Sequence, residues 1–167
     1  GVDMSFRMLV RVAALVLAYP NQVHPLLANH ELSQLTRRGI TKGHGNVVEM
    51  FNAGVEWVFG SNAEMVCEAI DTFILAMPLA AKSSSGLMCC HSLPNAGLMN
   101  RFDKDIFSRS LTDEDRDGTD GSASLLVWGR LYSEEQVIEL SAEWGVKLFC
   151  LGHAHVPDGA EVAMKNI

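Results

Sequence analysis

Basic residues are scarce. Thirteen Lys and Arg stand against 20 Asp and Glu, a formal net charge of −7 at pH 7. Phosphate backbones and anionic membranes are bound by clustered Lys and Arg, so this balance argues against a nucleic-acid or membrane partner. The one basic cluster, Arg37 and Arg38 with Lys42, reads as a solvated loop. Long apolar runs are also missing. The most apolar early stretch, residues 8–19, is broken by Arg11 and falls short of the roughly 20 residues needed to span a bilayer. No C-x-x-C pair occurs among the four cysteines, Cys67, Cys89, Cys90 and Cys150, and no disulfide framework is visible. All four have apolar neighbours and read as reduced, buried, small hydrophobes of a cytoplasmic protein. No secretory signal, internal repeat or low-complexity run is present. What remains is a 167-residue chain, 48% hydrophobic. It is long enough for a single domain over residues 1–167 with a sizeable core.

Periodicity places the elements. "RMLVRVAALVLAYP" reads as a helix buried on most sides and stopped by Pro20. "QVHPLLA" reads as a short strand at a sheet edge, because Pro25 lacks an N–H. "SNAEMVCEAIDTFILAMP" reads as a helix with a Ser61/Glu64 capping box. "LAAKSSSGLMCCH" has the pattern of a hairpin around a Ser/Gly turn. "SLLVW" reads as a strand or a buried loop. "SEEQVIELSAEWG" reads as a helix capped by Ser133, with Gln136 reaching back and Gly145 at its end. "VKLFCLGHAH" reads as a buried strand entering a loop, and "AEVAMKN" as a further strand.

Three of these strands run into loops that bear histidine: "LLANHE", "GLMCCHSLP" and "FCLGHAHVP". Active groups gather at the carboxyl ends of strands in layered α/β folds. A single His after a strand is more often a hydrogen-bonded loop residue than a ligand. Three such loops in one chain shift that balance toward a metal. Imidazole suits Zn, Fe and Mn, and a neutral Asn oxygen suits a hard divalent ion. Structural zinc sites favour Cys and His, so a mixed Asn/His set points to a catalytic centre.

"ANHE", then a strand-end His, then "GHAH", in this order, resembles the calcineurin-like metallophosphoesterases, in particular their Ser/Thr protein phosphatase branch. Those chains carry a D-x-H loop, a G-D-x-x-D-R-G loop, an R-G-N-H-E loop, a strand-end His and a G-H loop. "LAYPNQVHPLLANHE", "MPLAAKSSSGLMCCH" and "GVKLFCLGHAHVPDGAEV" are similar to the surroundings of the last three. The resemblance is weakest over residues 32–60 and 95–121.

The resemblance implies an α/β fold of two mixed β-sheets sandwiched between helices. It implies two divalent metal ions (Mn, Fe or Zn) that share a hydroxide and hydrolyse a phosphomonoester, with phosphoserine or phosphothreonine in a protein, or a small phosphoester, as substrate. By the same resemblance Asn29, His91 and His153 bind the second metal and His155 reaches the first. His30 protonates the leaving alkoxide, and Glu31 holds the surrounding groups. Arg130 is the candidate for the phosphate-binding arginine, with Arg101 and Arg109 behind it.

The chain departs from the pattern at several places. Leu27-Ala28 stands where the family has Arg-Gly, and Ser92 follows His91 where it has Gly. The D-x-H and G-D-x-x-D-R-G loops are not found, and Gly1 falls where the second would end. The chain therefore corresponds to the C-terminal two-thirds of the family's domain, incomplete at the N-terminus, with ligands mainly for one metal. Two rivals follow: a non-catalytic remnant of the fold that serves in binding or assembly, and a single-metal structural site closed to water. "DEDRDG" at residues 113–118 mimics a calcium loop but has Ser124 where the bidentate Glu belongs. "GHG" at residues 43–45 is too short for a phosphate loop.

Overall fold

The computed structural model describes residues 2–42, 45–118, 120–156, 158–164 and 167. The chain divides into two compact units, Gly1–Pro25 with His30–Pro78, and Leu26–Asn29 with Leu79–Ile167.

The first unit is helical. α1 (Phe6–Ala18) forms where its apolar spacing predicts and ends two residues before Pro20. Its burial differs from expectation. Phe6 alone is buried, and Met8, Val10, Leu15 and Leu17 are exposed, Leu17 at 83%. A helix apolar on nearly every side does not tell which side meets a core. The expected strand at "QVHPLLA" is absent. Residues 23–28 have no regular structure, and Pro25 cannot donate to a ladder.

α2 (Asn29–Thr36) begins at Asn29 itself. β1 (Thr41–Lys42) and β2 (Gly45–Asn46) pair over two residues, antiparallel. In "GHG", Gly43 and His44 lie outside the described residues. Asn46 then caps α3 (Val47–Phe59), its side-chain oxygen accepting from Val48 N. α4 (Ala63–Leu75) follows a single 3-10 turn, Gly60–Asn62. Ser61 is inside that turn, so the expected Ser61/Glu64 capping box does not form. Phe6 meets Phe59 edge to face at 5.6 Å.

The second unit holds the sheet. β3 (Ala80–Lys82) and β4 (Leu87–Cys90) make the expected antiparallel hairpin. Its turn needs the positive φ of Gly86, 95°. β5 (Leu148–Leu151) lies parallel to β4, giving the order β3-β4-β5. Met88, Cys90 and Phe149 face the core, whereas Leu87, Leu148 and Cys150 are exposed, so β5 is buried on one face only. α5 (Asp113–Arg116) is one turn within the acidic stretch.

α6 (Ser122–Trp128) is a helix where a strand or loop is expected, and all its residues but Trp128 are buried. Periodicity cannot separate strand from helix in so short an apolar run. α7 (Glu134–Trp144) matches its local signals. Ser133 and Gln136 form the capping box, and Gly145 closes the helix in the left-handed conformation at φ 61°. The expected last strand is not seen among described residues 160–164, and residues 165 and 166 lie outside them.

The protein is thus a mixed α/β chain. Among the described residues the strands form one three-stranded mixed sheet and the two-residue β1–β2 ladder, and a two-sheet sandwich is not seen. None of the described helices is long and apolar enough to cross a membrane.

Candidate metal centre

Two parallel strands deliver two histidines to one place. β4 ends at Cys90, so His91 is the next residue, and β5 ends at Leu151, so Gly152 and His153 follow. Gly152 N donates to the His91 carbonyl at 3.1 Å, which extends the β4–β5 pairing by one step. The chain turns at His153 itself, whose φ is 62°. A left-handed His costs on the order of 1–2 kcal/mol and marks a position held by its surroundings. Asn29, at the start of α2, is only 5% exposed.

Three donor atoms converge. His91 Nε2 lies 2.8 Å from Asn29 Oδ1 and 2.8 Å from His153 Nδ1. The two imidazoles stand edge to face at 4.7 Å, and the Trp128 ring packs against His153 at 6.2 Å. Nε2 carries at most one hydrogen, and Oδ1 carries none. One hydrogen cannot point along both contacts, so lone pairs are crowded together. A divalent cation between these atoms would turn that crowding into coordination.

The donor set, two imidazole nitrogens and one amide oxygen, suits a Zn, Fe or Mn ion with positions left for water or substrate. The set contains only two of the usual His, Cys, Asp or Glu ligands. No group of three such side chains placed for a metal occurs among the described residues.

The other expected site residues fall as follows. His155 is exposed and makes no hydrogen bond or ion pair among the described residues. His30 and Glu31 occupy the first turn of α2 and line a small cavity of about 100 Å³ with Asp3, Ser5 and Gln34, within the first unit. Arg130 is exposed and donates from Nη1 to the His153 carbonyl at 3.3 Å. The two other candidate arginines are held by carboxylates. Arg101 pairs with Asp120. Arg109 reaches Asp103 and both oxygens of Asp115 at 2.6 and 2.7 Å.

Those bonds hold the Asp115 carboxyl down at about 2, against its own burial, with Thr112 adding to them. They also engage Asp115, one of the carboxylates of the calcium-loop pattern, with a guanidinium. Cys90 is no nucleophile for His91. Its thiol is buried on the core face and pushed up to about 12, by burial first and by Cys89 and Cys150 after it.

A supporting network escapes sequence reading. Ser92, fully buried, donates to the Gly129 carbonyl at 2.5 Å, and its hydroxyl also bonds the Tyr132 hydroxyl at 2.5 Å. Asn95 Oδ1 accepts from Arg130 N at 2.7 Å and Leu131 N at 2.9 Å. Gln136 Nε2 reaches the Pro94 carbonyl at 2.6 Å. The loop after His91 is thereby tied to the loop that carries Arg130. Ser92 is the one visible signal, because a small polar residue following a buried strand has to find a partner.

No protein-family model matches the sequence, and no curated protein matches it.

Proposed function

We propose that the protein is a metal-dependent phosphoesterase of calcineurin-like type that hydrolyses phosphomonoesters, with phosphorylated Ser or Thr side chains as the leading substrate. The observation that carries this is the convergence of Asn29 Oδ1, His91 Nε2 and His153 Nδ1. These three atoms would hold one divalent ion. Such an ion supplies Lewis acidity to a phosphoryl oxygen and lowers the pKa of water.

In this reading Arg130 binds and orients the phosphoryl group, and its bond to the His153 carbonyl keeps its head beside the ligand loop. Asn95 fixes the backbone from which Arg130 projects. His30 delivers a proton to the leaving oxygen. Glu31, one residue on, helps to hold it. The two-sheet sandwich, the second ion with His155 among its ligands, and a cytoplasmic site of action all belong to this proposal.

Metal content decides the matter. After reconstitution with Mn²⁺ and desalting, elemental analysis should find at least one ion per chain, with two where His155 and its partners complete the second site, and His91→Ala or His153→Ala should lower affinity 10- to 100-fold or more. A ratio near zero would leave the cluster as a hydrogen-bonded remnant of the fold. His30→Asn should cut phosphomonoester turnover by about 10²-fold or more at unchanged metal content. Loss of metal in that variant would contradict its acid role.

A further inference from the structure

The exposed face of the β3-β4-β5 sheet carries a second pair of reactive groups. Cys89 and Cys150 are register partners on the parallel strands β4 and β5. Partner residues on adjacent strands point to the same face. Here that is the face of Leu87 and Leu148, which are 38% and 47% exposed. Cys150 is exposed, Cys89 is half-buried, and both are free thiols. Neighbouring strands are about 4.7–4.9 Å apart, inside the roughly 4.4–6.8 Å between Cα atoms that a disulfide spans. Cys90 is excluded from this pair, because it is buried and points through the other face.

We propose that Cys89 and Cys150 form a reversible disulfide across β4 and β5, closed by exchange with a low-molecular-weight disulfide. Cys150 attacks one sulfur of glutathione disulfide, forming a mixed disulfide and releasing one glutathione. Cys89 then attacks the Cys150 sulfur and expels the second. The two thiols lose two electrons and two protons, and glutathione disulfide becomes two glutathione thiols. The link joins the two strands whose ends carry His91 and His153, and it forms whether or not the cluster takes a metal.

The test uses the reduced full chain, incubated with glutathione disulfide and then unfolded in urea with excess iodoacetamide, so that buried Cys90 is alkylated as well. The expected result is loss of two of the four alkylatable thiols without added glutathione. A peptide pair joining Cys89 to Cys150 should appear, and dithiothreitol should reverse the change. Cys89→Ser should accumulate glutathione on Cys150, because the resolving thiol is gone. Four alkylated thiols in the wild type, a lasting glutathione adduct on Cys150, or a link to Cys67, to Cys90 or between chains would overturn the proposal.

Discussion

Each unit of the chain presses a glycine against a carbonyl. A Cβ at Gly54, in the helical unit, would meet the Asp3 carbonyl oxygen at 1.8 Å, and one at Gly129, in the sheet unit, would meet the Leu93 carbonyl oxygen at 1.6 Å. The distances are alike, but the neighbours differ. Asp3 belongs to a surface segment joined to α3 by its N–H to the Met50 carbonyl. Leu93 is fully buried and follows Ser92, whose hydroxyl grips the Gly129 carbonyl. Gly129 has φ −67°, which any residue adopts, so space alone demands glycine there. Gly54 is opposed by a half-buried segment tied to α3 by one backbone hydrogen bond, and Gly129 by a fully buried one tied by the Ser92 hydroxyl.

The largest effect follows directly. Gly129→Ala should cost about 3 kcal/mol in urea unfolding and Gly54→Ala about 1 kcal/mol, since overpacking costs more where nothing yields. Equal costs would break the comparison.

The half-buried pair of Asp115 with Arg109 in the sheet unit gives the next effect. The Asp115 carboxyl titrates near 2 when folded, below its ordinary 3.8. A lowered carboxylate stabilises the fold above the unfolded value, and that stability drains as pH falls from there through about 2. The Arg109 side chain is 36% exposed, so solvent screening holds the amount to about 1 kcal/mol. Wild type should therefore exceed Asp115→Asn in stability at pH 6, with the gap closing near pH 2.5. A gap that persists in acid would contradict the pairing. In the helical unit, Arg37 meets Asp71 at 2.5 Å with the Arg37 side chain 49% exposed. Arg37→Ala should cost about 0.5 kcal/mol or less, as surface pairs do, and a loss above 1 kcal/mol would make the two units alike.

Legibility in the sequence followed the range of the interactions. α7 was readable to its ends, because Ser133, Gln136 and Gly145 act within one turn. The β3–β4 hairpin was readable for the same reason. α6 was not, since six buried residues in a row carry no period, and the exposed face of α1 is set by neighbours its own pattern does not name. Asn62 precedes α4, where Ser61 had the better capping chemistry, because a 3-10 turn moved the start by one residue. Asn29, His91 and His153 were legible through the order of their loops. The Ser92–Gly129–Tyr132 contacts, which join residues 37 and 40 apart, left no local trace beyond Ser92 itself.

The same distances bear on how the protein folds. His91 is 62 residues from Asn29 and 62 from His153, so the cluster requires two long loop closures. The β4–β5 pairing that delivers the histidines is parallel, the slow kind of contact to form. Sequence separation therefore predicts that the cluster assembles after α7 and the hairpin. Anything that binds its three donor atoms recognises only chains that have finished folding, and its stabilisation would act on the last step to close and the first to open.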